Sequence, residues 1–226
     1  MELTSEILSP TFLTVGSILF AAGLSFTLWR TPWYWLRREG VATRLVACCI
    51  AVSMIWLLRA ELANGPAVHL LGATLLTLAF GWQLAILALS VVLVATTIVT
   101  TNDWLALGTN GVLLALLPVA VSYVIARIVE ALLPRHLFVY LFCSSFFGAA
   151  LAVAAVSFSA LELAGWAGIM DPDALSANYR PTALLLLFPE AFITGALVTL
   201  AAIYRADWLV SFDERRYLSE AGDSGA

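Results

Sequence analysis

The sequence predicts an all-α integral membrane protein, a bundle of seven transmembrane helices with the N-terminus outside and the C-terminus inside. Three observations lead there. Of 226 residues, 62% are apolar and 12% charged, against about 45–50% and about 25% in a soluble domain. The apolar residues gather in runs near the roughly 20 residues that cross a bilayer. The Arg residues favour alternate connections, as the enrichment of Lys and Arg in cytoplasmic loops requires.

Taken in order, the first helix is expected from about Thr11 to Trp29 and the second from about Arg44 to Leu58. The run from Leu70 to Val99 is too long for one span, at about 1.5 Å per residue, and Gly81-Trp82-Gln83 interrupts it. It divides into a short third segment, His69 to Phe80, and a fourth, Gln83 to Val99. The fifth runs from Asn110 to Leu133 with Pro118 inside, the sixth from Phe138 to Leu163, and the seventh from Thr182 to Tyr204. Residues 1–212 form a single transmembrane domain and 213–226 a polar cytoplasmic tail. The start, Met1-Glu2-Leu3-Thr4-Ser5-Glu6, is acidic and lacks the basic region of a signal peptide.

Arg placement supports the count of seven. With the N-terminus outside, nine of the eleven Arg fall inside, and only Arg59 and Arg180 fall outside with Glu2, Glu6, Glu61, Asp103, Asp171 and Asp173. Reading Leu70–Val99 as one span would put the Arg-rich tail on the N-terminal side. The implied location is a plasma membrane, the bacterial inner membrane, with the lipid bilayer as the surrounding partner.

Composition also excludes chemistries. All eleven basic residues are Arg, so no Lys exists for a phosphate-binding loop or a Schiff base. The net charge of −4 offers no basic surface to nucleic acid. No Ser-His-Asp set, paired carboxylates, CxxC or HExxH occurs, so an enzyme is not expected. Cys48, Cys49 and Cys143 lie in apolar runs and read as small buried hydrophobes.

Few polar residues remain to carry function. His69 follows the turn signal Asn64-Gly65-Pro66 and opens the third segment at the outer face; a neutral imidazole is the commonest protein ligand of transition metals. Asn102, Asp103 and Asn110 lie in the next outer connection, as cap residues or as partners that orient the His69 ring. With the N-terminal segment they should converge with His69 on one shielded pocket. Gly72, three residues beyond His69, leaves room for close backbone approach. Glu190 sits about 12 Å into the seventh helix at helical rise, where an ionisable group is costly unless partnered. His136, beside Arg135, reads as an interfacial anchor. Small residues recur at packing spacing, Ser17, Ala21 and Ser25 on the first helix and Gly148 and Ala152 on the sixth, for packing within the bundle or as a docking face for another membrane subunit.

These residues carry a resemblance. Val68-His69-Leu70-Leu71-Gly72 followed by Phe80-Gly81-Trp82, then Ala106-Leu107-Gly108-Thr109-Asn110-Gly111, Pro189-Glu190-Ala191-Phe192-Ile193-Thr194-Gly195 and Arg205-Ala206-Asp207-Trp208-Leu209 resemble segments of the CbiM and NikM type. These are the cobalt- and nickel-binding membrane subunits of energy-coupling factor ABC transporters. The resemblance implies a seven-helix substrate-capture subunit with an extracytoplasmic N-terminus. It also implies a membrane coupling subunit and ATPase subunits as partners, and a transported Ni or Co ion rather than a tightly bound cofactor. In that family the N-terminal amine, a His at position two and a later His hold the metal. His69 matches the later His, whereas the second residue is Glu2, so the chain is a divergent member lacking the N-terminal His. Metal affinity through His69 should fall as pH drops through an unperturbed imidazole pKa near 6.5. The alternative is a non-transporting membrane scaffold or assembly factor that has lost the metal site.

Overall fold

The computed structural model describes residues 2–6, 8–60, 67–100, 103–166, 172–213 and Tyr217, with backbone alone for 172–178. Among these residues the fold is all-helical, with only two isolated antiparallel bridges, Glu2 to Ala67 and Ala60 to Val68. Seven helical segments follow one another: α1 (Pro10–Arg30), α2 (Val41–Leu57), α3 (Ala73–Phe80), α4 (Trp82–Val99), α5 (Leu107–Leu132), α6 (Leu137–Trp166) and α7 (Pro172–Tyr204). Five of them, α1 and α4 to α7, are long and apolar enough to cross a membrane. The second, at 17 residues, is shorter, and α3 has 8.

The helices run alternately between two ends of the bundle. At one end lie residues 2–6, 8 and 9, residues 67–72 before α3, residues 103–106 before α5, and the close of α6, where Phe12 stacks on Trp166 at 6.5 Å. At the other, Phe26 and Tyr123 flank Trp82 at 6.1 and 6.3 Å, and Tyr140 meets Phe212 at 5.1 Å. Residues 2–6, 8 and 9 therefore occupy one end and residues 206–212 the other.

Several boundaries differ from those read in the sequence, each for a backbone reason. The third helix begins at Ala73, because Glu2 and Ala60 draw Ala67 and Val68 into extended bridges and leave His69 ahead of the helix. Gly72 (φ +69°) turns the chain into α3, and Gly81 (φ +82°) turns it out into α4; both conformations suit glycine. The fifth helix starts at Leu107, so Asn110 sits in its first turn rather than in a connection. Residues 112–116 are π-helical, with the Leu117 N–H reaching the Val112 carbonyl. The wider turn comes just before Pro118, which has no N–H to give. The seventh helix starts ten residues early, at Pro172, and passes through both Pro181 and Pro189.

Helix α1 is largely exposed, and its buried face is Gly16, Phe20 and Thr27; Ala21 and Ser25 point outward, away from the bundle. Glycines on both partners set the crossing. A Cβ on Gly108 would lie 2.4 Å from the Ser17 Cα, and one on Gly16 2.3 Å from the Thr109 hydroxyl. Between membrane helices, where lipid is as apolar as leucine, close approach of this kind provides the packing. On α6, Gly148 and Ala152 are buried as expected.

Candidate functional site

The N-terminal segment lies across the mouths of α3 and α5. The Asn110 side chain grips Leu3 like a paired strand: its Oδ1 accepts from the Leu3 N–H at 2.9 Å and its Nδ2 donates to the Leu3 carbonyl at 2.8 Å. Asp103 accepts from the Ser5 N–H at 2.6 Å and from the Ala106 N–H at 3.2 Å, closing the turn into α5. The Glu2 N–H donates to the Ala67 carbonyl at 3.0 Å, and the Glu2 carboxylate pairs with Arg59 at 3.0 Å. Asn102 and the Asn64-Gly65-Pro66 turn lie outside the described residues.

His69 follows that bridge and is 4% exposed. Its ring packs against Trp56 with centroids 4.5 Å apart. Nδ1 lies 3.1 Å from the Leu70 carbonyl. A carbonyl only accepts, so Nδ1 carries the proton and Nε2 presents a lone pair. Nε2 is buried without a hydrogen-bond partner among the described residues. The ring partners expected from the sequence are otherwise committed: Asn110 holds Leu3, and Asp103 holds Ser5 and Ala106. The imidazole is instead oriented by its neighbour's backbone and by Trp56, whose Nε1 donates to the Leu71 carbonyl at 3.3 Å. Burial, helped by nearby positive charge, lowers the His69 pKa from 6.5 to about 3. Burial favours the neutral imidazole, the form that can bind a metal.

Glu190 does not touch His69 directly. It reaches from the middle of α7 to the turn three residues beyond it, where its two oxygens accept from the Leu71 and Gly72 N–H groups, both at 2.8 Å. These are orphan donors at the start of α3, and a carboxylate there satisfies them and suits the helix dipole. Glu190 is 3% exposed, and the two bonds offset the cost of a buried polar group. Sequence reasoning named this acid but not its partners, which lie more than a hundred residues away. It missed Trp56 altogether, since an indole in an apolar run carries no signal. His136, expected as an interfacial anchor, is exposed and caps α6, accepting from the Phe138 N–H at 3.2 Å. Among the described residues no three His, Cys, Asp or Glu side chains cluster, so His69 offers a single side-chain ligand.

This is the architecture of a multi-pass membrane protein. The fold is similar to a crystal structure of a transition metal transporter, with a TM-score of 0.75 and 18% identity over 90% of this chain and 93% of that one. A truncated transition metal transporter gives 0.73 and 19% over 90% and 98%. Residues 3–208 match the CbiM family, described as the cobalt uptake substrate-specific transmembrane region. The chain belongs to that family, and is a membrane component of metal uptake. No curated protein sequence is significantly similar to it.

Proposed function

We propose that the chain is the substrate-capture subunit of an energy-coupling factor type uptake system for a divalent transition metal, cobalt or nickel. The observation that carries this reading is the buried His69, whose Nε2 lone pair has no hydrogen-bond partner among the described residues, beside the N-terminal segment. A borderline metal suits imidazole nitrogen, and the Trp56 ring packed on His69 fixes the imidazole so that Nδ1–H faces the Leu70 carbonyl and Nε2 keeps its lone pair. The His69 end faces the outside in this reading, in keeping with the Arg-poor connections there. Energy would come from separate ATPase subunits through a membrane coupling subunit, because a chain without Lys cannot build a phosphate-binding loop.

The coordination set must differ from one built on a second-position His. Glu2 stands there, its carboxylate is paired with Arg59, and its N–H is hydrogen-bonded to Ala67. Those commitments favour the second reading, a membrane scaffold that keeps the bundle without the metal. Equilibrium titration of purified protein with Co²⁺ and Ni²⁺ separates the two. Capture predicts saturable binding that weakens at least about tenfold in His69→Ala. Wild-type protein that binds neither ion would refute capture and support the scaffold.

A further inference from the structure

Helix α3 is joined to its sequence neighbours through two glycines in left-handed or glycine-only backbone, Gly72 and Gly81. At 8 residues it is about 12 Å long, and it reaches the far end of the bundle only with the extended chain before it. Its covalent links are therefore glycine joints, and besides the packing of its buried sides its axial position depends on what grips its ends. Trp56 of α2 also holds the His69 end, through the Leu71 carbonyl; two further grips come from the last forty residues. At the His69 end, Glu190 of α7 holds the Leu71 and Gly72 amides. At the other end the strap that follows α7 folds back. The Ser211 N–H and Val210 N–H donate to the Leu78 and Ala79 carbonyls at 3.2 and 3.3 Å. The Ser211 hydroxyl donates to the Leu78 carbonyl at 2.9 Å and receives the Tyr140 hydroxyl at 2.7 Å. Midway, Thr74 meets Ser122 of α5 at 2.7 Å, a sideways tie. Beside the strap a cavity of about 370 Å³, lined by Thr77, Gly81, Tyr140 and Ser211 among others, leaves the Gly81 end room to move.

We infer that α3 is a stave clamped at both ends by α7 and its strap. Glu190 and Ser211 then act as positioning residues for His69, and displacement of the strap at one end of the bundle is transmitted to the metal site at the other. The metal half of this inference rests on His69 being the ligand proposed above; the mechanical half does not.

Hydrogen exchange followed by mass spectrometry on the full chain in nanodiscs tests it. Ser211→Ala removes the hydroxyl bonds, and Ser211→Pro also removes the N–H donor; Glu190→Gln weakens the opposite grip. Transmission predicts faster exchange at residues 67–72 in the Ser211 variants and, because coupling is reciprocal, at 77–81 in Glu190→Gln. A strap that merely covers its own end would speed exchange at 77–81 alone in the Ser211 variants, and that result overturns the inference. Unchanged exchange at both ends in Ser211→Ala and Ser211→Pro overturns it too, since the strap then holds nothing. In parallel, Co²⁺ affinity should fall about tenfold in Glu190→Gln and in Ser211→Pro, the low end of the loss seen when a supporting partner of a metal ligand is removed. Wild-type protein that binds no metal would defeat the proposed function, while the exchange measurements would still decide the clamp.

Discussion

His69 is neutral because it is dry, and that gives it a signature in the absence of any metal. Its folded pKa, about 3, lies below the roughly 6.5 of an unfolded chain. Between those values the unfolded state binds a proton that the folded state refuses, so stability falls as pH drops from about 6.5 toward 3. The contribution is fully present above 6.5. Thermal unfolding of the metal-free protein in detergent should therefore show a smaller loss between pH 7 and pH 4 in His69→Gln than in the wild type. Parallel curves would mean that water reaches the ring. At this scale the sequence could mark His69, Asn110 and Glu190, because polar groups are conspicuous in a chain this apolar. It could not show their partners. Asn110 is 107 residues from Leu3, and all three polar residues address backbone groups, which every residue has and no sequence pattern distinguishes.

Among elements, the crossing of α1 and α5 depends on glycine at a place where backbone meets backbone. Gly108→Val would drive its side chain into the Ser17 Cα, and overpacking of this kind costs about 1–3 kcal/mol. Its thermal midpoint should drop clearly, while Gly165→Ala, with nothing within 4 Å, should leave the midpoint unchanged or slightly raised. Equal midpoints for Gly108→Val and the wild type would mean that α1 is not seated as described. The helices themselves were legible because apolar run length sets them, and α4 begins within one residue of the expected place. What was not legible was how proline would act. Pro181 reads as a helix start, yet α7 runs on through it from Pro172, because packing against α6 can hold a helix that has lost one backbone bond. Which side of α1 turns inward was not legible either: Ser17, Ala21 and Ser25 have packing spacing, but Gly108 and Gly111 of α5 seat Ser17 and Phe20 and leave Ala21 and Ser25 outward.

For the molecule as a whole, the question is parity. Five helices meet the length and hydropathy of a span, yet all seven segments alternate between the two ends. The Arg distribution could support seven from sequence because it weighs connections rather than helices, and so does not depend on α3 looking like a span. If α3 and its extended approach cross together, the termini lie on opposite sides of the membrane. Single-Cys variants at Glu6 and Ser219, made after replacing Cys48, Cys49 and Cys143, should be labelled by an impermeant maleimide from opposite faces. Labelling of both from one face would sink the seven-span count and reduce α3 to a re-entrant segment.

The two grips on α3 also bear on how the molecule is made. The Leu71 and Gly72 amides leave the ribosome 119 and 118 residues before the carboxylate that satisfies them, and the Leu78 carbonyl waits 133 residues for Ser211. At about 5–20 residues per second, that is on the order of ten seconds during which a short helix with orphan groups at both tips must be sheltered by the insertion machinery or by water. The segment that holds His69 is among the earlier parts synthesised and among the last to be seated, so assembly at the metal end finishes only when the C-terminal strap arrives.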